Sequence, residues 1–434
     1  MEEKSIYKAM IGSSDSTLDE LVALANALNK CPETGYREYK TSALLREKFC
    51  ELPLMIKQFK DIPGFAATLD TGKPGATIAI LCELDAITCP EYKDADPITG
   101  AAHCCGHNAQ MAMVYGAAKA IIKSGILDVL SGRICFMAVP AGECIELGYR
   151  NQLRQDGKIR FIGGKSELIS QGLFDDIDVA VSIHSLSAPW RFGLASSMNG
   201  LQIKTIDIIS NKTQASPTRA GVNTLDAALL GISALNAWRS TFREDDYISA
   251  DPIITQGGDS ENITPSNVHI EMLVRGRTID AIKNVSRKVD RAFLNAAQAL
   301  DVEARIASYH GYFPFVANSK LNRVAGNVIK SMGAQAAILP HSHRSTDLGD
   351  LSTLIPVIQL YISGYAGGLH NVDFKIVDNT CLTDGAKILA GIAIELLVDF
   401  GNCIRHILTR HHTPIFTSRE EYVKEAESFN ICSS

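Results

Sequence analysis

Leu201-Gln-Ile-Lys-Thr-Ile-Asp-Ile-Ile209 interleaves branched apolar residues with polar ones and reads as a β-strand. A self-contained pattern follows it as far as about Ser308. Thr224 to Arg239 reads as a helix, Pro252 to Gln256 and Val268 to Val274 as strands, Ile279 to Ala299 as a helix and Val302 to Ala307 as a strand. The order is βαββαβ, the ferredoxin-like split motif. Such a unit closes on itself, so it can be inserted into another domain. The expected organisation is an inserted domain at 200–309 within an outer domain formed by 1–199 and 310–434.

Outside that stretch the chain alternates helix and strand. Ser16 or Thr17 can cap a helix whose apolar residues Leu18, Leu21, Val22, Leu24, Ala25 and Leu28 recur at helical spacing, and Thr41 to Phe49 reads as a second helix. Ala66 to Asp70 and Ala76 to Cys82 are short apolar runs divided by Thr-Gly-Lys-Pro-Gly, which reads as a pair of adjacent strands. Asn108 to Ser124 is apolar and Ala-rich enough for a buried helix, and Ile134 to Val139 and Val179 to Ile183 read as strands. After Phe313 the pattern resumes with a helix at Leu321 to Ser331, a strand at Val357 to Ile362 and a long terminal helix at Thr383 to Val398. This alternation predicts an α/β domain with an open, mainly parallel sheet and flanking helices.

Composition narrows the function classes. With 434 residues the chain exceeds a single core, which agrees with two domains. Hydrophobic residues at 46% and charged residues at 21% fit an ordinary globular protein. A net charge of -6 supplies no basic footprint for a phosphate backbone, so nucleic acid is not an expected partner. Met1-Glu-Glu-Lys lacks an apolar signal region, and the run around Ile388 to Val398 is too short for a membrane span and contains Glu395. No membrane association and a cytoplasmic location are expected. The 11 cysteines show no CxxC pairing, so most are expected to be small buried apolar residues in a reducing compartment.

Chemistry collects where open α/β sheets place their sites, at the strand ends. Ala102-His-Cys-Cys-Gly-His-Asn108 lies in a loop just before a helix, where Cys105 and His107 can face one ion across a glycine. His103 has no such argument and is expected to fill an outer shell or make a hydrogen bond. Glu143, His184 and His370 follow equivalent strand ends. Alone, each would be an ordinary cap or satisfied polar residue. Their recurrence at one sheet edge favours a shared site.

The order and spacing of several motifs resemble the metal-dependent amidohydrolases, a metallopeptidase family that includes aminoacylase, hippurate hydrolase, plant auxin-conjugate hydrolases and aminobenzoyl-glutamate hydrolase. The resemblance runs through most of the chain. It is carried by Pro32-Glu-Thr-Gly-Tyr-Arg-Glu38, Leu81-Cys-Glu-Leu-Asp-Ala86, Ala102 to Asn108, Val139-Pro-Ala-Gly-Glu143 and Ser182-Ile-His184. Gly221-Val-Asn-Thr-Leu-Asp-Ala-Ala228, Gly257-Gly258 with Asn262, Ser345-Thr-Asp-Leu-Gly-Asp350 and Gly367 to Phe374 continue it.

The resemblance implies two divalent ions (zinc, manganese or cobalt) bound by Cys105, His107, Glu143, His184 and His370, with Cys105 as the bridge. It implies that Asp85 orients a ligand, that Asn262 with Arg275 or Arg277 reaches the carboxylate of a small amide substrate, and that the inserted unit is a lid through which a homodimer forms.

Two departures bear on activity. The family's Pro-Ala-Glu-Glu motif supplies the general base at its first Glu, and here that position is Gly142. The family's lid histidine is also absent, since no histidine lies between His184 and His269; the nearest polar residues are Thr213 and Gln214. A general base is worth roughly 10²–10⁴ in rate and an oxyanion donor about 10²–10³. Glu146 could compensate if the segment after the strand is helical, because it would then share a face with Glu143. Three readings follow: a hydrolase of an N-acyl or aminoacyl amide with a substituted base, a catalytically silent relative that binds ligand or metal, and an α/β protein with a structural metal.

Overall fold

A computed structural model describes residues 16–210, 223–258, 260 and 263–433, which fall into two units. The first is formed by described residues within Met1–Ser197, Val316–His341 and Leu351–Arg419, the second by those within Met198–Phe315, Ser342–Asp350 and Glu420–Ser434.

The central strands of the first unit are apolar on both faces. Thr77–Glu83 and Val357–Ile362 are buried throughout, and Arg133–Val139 and Val179–Ser185 at all but one position. That pattern belongs to parallel strands covered by helices on both sides. The eight-stranded sheet runs in the order Met55–Gln58, Phe65–Asp70, Arg133–Val139, Thr77–Glu83, Val179–Ser185, Val357–Ile362, Phe192–Ala195, Ala336–Leu339. Its four middle strands are mutually parallel, and antiparallel strands flank them. Helix His107–Lys123 is buried along most of its length and packs against Thr380–Leu397, another helix apolar nearly all round.

One expected pairing is corrected. Phe65–Asp70 and Thr77–Glu83 are not neighbours, because Arg133–Val139 lies between them, antiparallel to the first and parallel to the second. A fully buried strand needs partners on both edges. Local turn chemistry between 70 and 77 could not reveal the later strand that separates the two.

The second unit is a twisted antiparallel sheet in the order Ser249–Gln256, Asn267–Gly276, Ser197–Ile209, Glu303–Tyr312, Ile431–Ser433. Its first four strands and two helices, Thr224–Arg239 and Ile279–Ala299, have the expected βαββαβ order. Burial alternates strictly along Asn267–Gly276, as in a sheet with one covered face. Both helices begin with a side-chain cap: Asn223 accepts from the Leu225 N–H and Thr278 from the Ala281 N–H. Residues 342–350 and 420–433, read from sequence as parts of the outer-domain segment 310–434, group with this unit. Ile431–Ser433 pairs with Glu303–Tyr312 across a separation that leaves no local signature. Among the described residues no helix is long and apolar enough to cross a membrane.

Candidate metal centre

The candidate ligands sit at the carboxyl ends of the parallel strands. Glu83 and Asp85 close and follow Thr77–Glu83, Glu143 follows Arg133–Val139, His184 ends Val179–Ser185, and His370 lies beyond Val357–Ile362. Cys105 and His107 flank Gly106, which adopts φ +87 immediately before helix His107–Lys123. A Cβ there would meet Ser185 Cβ and Oγ at 2.7 Å, so only glycine lets the loop turn and approach this closely. His370 is a non-glycine residue at φ 66, a conformation that neighbouring structure has to enforce. Its N–H donates to the Cys104 carbonyl at 2.9 Å.

Cys105 is the hub. Its Sγ lies 3.1 Å from Glu143 Oε1, 3.3 Å from His184 Nε2 and 3.3 Å from His370 Nε2. Two triplets share it: in Cys105–His107–His184 and again in Cys105–Glu143–His370, the donor atoms all lie within 4.8 Å of one another. Both inner histidines are oriented from behind. His107 gives its Nδ1–H to the Asp85 carbonyl at 2.8 Å, and His184 gives its own to the Ser185 carbonyl at 2.9 Å. Since a carbonyl can only accept, each ring is fixed with Nε2 facing the cluster. Asp85, fully buried, also accepts the Glu143 N–H on Oδ2 at 2.8 Å. One residue thereby positions two neighbours, through its backbone carbonyl and its carboxylate, the arrangement expected behind a metal ligand.

Burial and close neighbours set the charges in the cluster. Burial pushes the Cys105 thiol far above its ordinary range, with His107 pulling the other way. Burial also opposes charge on His107, but Cys105 and Glu83 outweigh it and hold the imidazolium well above its usual range. Burial would raise Glu143, yet its hydrogen bond to His370, with the charges of His370 and His107, holds it at about 2. Thiol, carboxylate and imidazole donors converging with their tautomers fixed are a set that zinc and neighbouring divalent ions accept. The residues fit a metal.

The sequence reading did not single out Glu83. Its Oε2 lies 3.2 Å from His107 Nε2 and its Oε1 2.8 Å from the ammonium of Lys165, a fully buried lysine. Lys165 and His107 outweigh the effect of burial and keep Glu83 far below the usual carboxylate range. Its position at the end of an apolar strand two residues before Asp85 was the available signal. Lys165, in helix Gly164–Ser170, offered none.

Other expectations fare differently. The segment from Ala141 to Glu146 is not helical; Glu146 precedes helix Leu147–Gln155 in a left-handed conformation at φ 54, with Oε1 3.7 Å from Arg37. The helical face that would have joined it to Glu143 does not exist. His103 makes no hydrogen bond from either ring nitrogen among the described residues, and its burial holds it neutral, with a pKa of about 3. Arg275 and Arg277 belong to the second unit, where Arg275 is half-buried and Arg277 is exposed 5.5 Å from the Tyr247 ring centroid. Asn262, Thr213 and Gln214 lie outside the described residues.

Known proteins share this framework. The Xaa-Arg dipeptidase of Mus musculus is 27% identical over 366 residues, covering 80% of this chain and 77% of that protein. Thermostable carboxypeptidase 2 of Saccharolobus solfataricus is 25% identical over 267 residues, 59% of this chain, and the match spans only 63% of that relative's own length. Among solved structures, an aminobenzoyl-glutamate utilization protein from Klebsiella pneumoniae superposes with TM-score 0.69 at 16% identity, covering 89% of this chain and 98% of that one. A dinuclear metal-binding M20-family peptidase of Bacillus subtilis gives TM-score 0.67 at 19% identity, covering 88% and 99%. These structural likenesses show a common fold. The description of peptidase family M20/M25/M40 matches residues 81–395, a span that takes in Cys105, His107, Glu143, His184 and His370, and the chain belongs to that family.

Proposed function

We propose that this chain is a metal-dependent amidohydrolase that cleaves an N-acyl or aminoacyl amide of a small carboxylate, such as an amino-acid conjugate or a dipeptide. The observation that carries this reading is the pair of donor triplets sharing Cys105. Cys105, His107 and His184 would hold one divalent ion, and Cys105, Glu143 and His370 a second, as zinc, manganese or cobalt. Bound there, such ions polarise an amide carbonyl and lower the pKa of water. Asp85 serves by fixing the His107 ring and the Glu143 backbone. The substrate class is supported by relatives named Xaa-Arg dipeptidase, IAA-amino acid hydrolase and N-acyl-L-amino acid amidohydrolase. Asn262 with Arg275 or Arg277 would meet the substrate carboxylate, and the second unit would act as lid and homodimer interface.

Two observations favour a second reading, a silent protein that binds ligand or metal without turnover. Gly142 carries no proton acceptor, and Glu146 does not share a helical face with Glu143. Elemental analysis, paired with assays of the same sample on N-acyl and aminobenzoyl amino acids, separates the two. Close to two ions per chain with chelator-sensitive turnover is the expected result. Metal without turnover selects the silent protein, and a metal-free chain that cannot be loaded removes the site.

A further inference from the structure

The Glu83–Lys165 pair has no part in the reading above. Removing two charges from water is unfavourable unless each is matched, and an apolar pair of similar volume packs as well or better. A buried pair of this kind therefore calls for a reason beyond packing. Its geometry offers one. Lys165 takes Glu83 Oε1 at 2.8 Å, and the free oxygen, Oε2, is left 3.2 Å from His107 Nε2. That nitrogen is the one His107 still has available, because its Nδ1–H is committed to Asp85. Lys165 thus fixes both the rotation of the carboxylate and the identity of the oxygen that faces His107. Gly142 leaves the room for this: a Cβ at 142 would stand 3.1 Å from Glu83 Cγ and 3.2 Å from Cδ.

We propose that Glu83 is a further donor to the metal site on the His107 side, with Lys165 as its positioning residue. The inference rests on the reading of Cys105, His107, Glu143, His184 and His370 as ligands. An anionic oxygen beside an imidazole nitrogen is a donor pair that zinc accepts.

The test measures zinc affinity of the full chain by competition with a chromophoric chelator, with circular dichroism as the check on folding. The double variant Glu83→Gln/Lys165→Met removes the donor without leaving a lone buried charge, and it is expected to bind zinc at least about 10-fold more weakly. Glu83→Asp keeps the charge opposite Lys165 but withdraws the carboxylate by one methylene; it is expected to lose affinity as well, and it decides the matter if the double variant does not fold. A wild-type chain that binds zinc, with variants that bind it equally tightly, overturns the Glu83 assignment and leaves the five-ligand site intact. A wild-type chain that takes up no zinc overturns the five-ligand site, and Glu83 falls with it.

Discussion

Among the described residues each unit of this molecule buries one lysine completely, and the two lysines do different work. In the second unit, Lys204 on strand Ser197–Ile209 lies 2.6 Å from Asp290 on helix Ile279–Ala299 and 2.7 Å from Ser308 on strand Glu303–Tyr312. Burial lowers its pKa against the pull of Asp290. Its partners tie helix to sheet, and neither is a candidate ligand. In the first unit, Lys165 holds Glu83, whose other oxygen meets His107. A buried charge is therefore no functional signal by itself; what the partner's remaining atoms face decides.

Three substitutions break or sharpen that contrast. Lys204→Ala leaves Asp290 without its counter-charge and opens a cavity, and it should lower stability by about 3 kcal/mol, read from chemical denaturation. Its zinc affinity should match the unaltered chain; a large fall would mean that the second unit's lysine also supports the site. Asp85→Asn keeps the shape but removes the anion behind His107 and Glu143, so zinc affinity should drop about 10–100-fold at nearly unchanged stability. Unchanged affinity would show that the backbone carbonyl of Asp85 orients His107 unaided. Gly142→Glu has the smallest expected effect, a gain in amidase activity of roughly tenfold. The new Cβ would meet Asp85 Oδ1 and Glu83 Cγ at 3.1 Å, so both must yield slightly. No gain in steady-state assays would place the limiting step elsewhere.

Much of this architecture was legible along the chain. The βαββαβ order came from periodicity, since strands and helices with one covered face must repeat at 2.0 and 3.6 residues. The parallel sheet followed from apolar runs such as Ile134 to Val139 alternating with helices. Cys105 and His107 could be picked out because they flank a glycine in a loop before a helix, and Glu143, His184 and His370 because they follow strand ends, where α/β sheets expose side chains to a common crevice.

The sequence by itself determined the elements, the two-part organisation and the identity of the five candidate ligands, because these depend on local pattern and on motif spacing. The tertiary structure alone decided which strands became neighbours, as when Arg133–Val139 separated two runs that read as a pair. It also decided that Glu146 turns towards Arg37 instead of following Glu143, and that Lys165 meets Glu83. Those outcomes depend on register and side-chain direction between segments distant in the chain, and residue order encodes neither until the core packs.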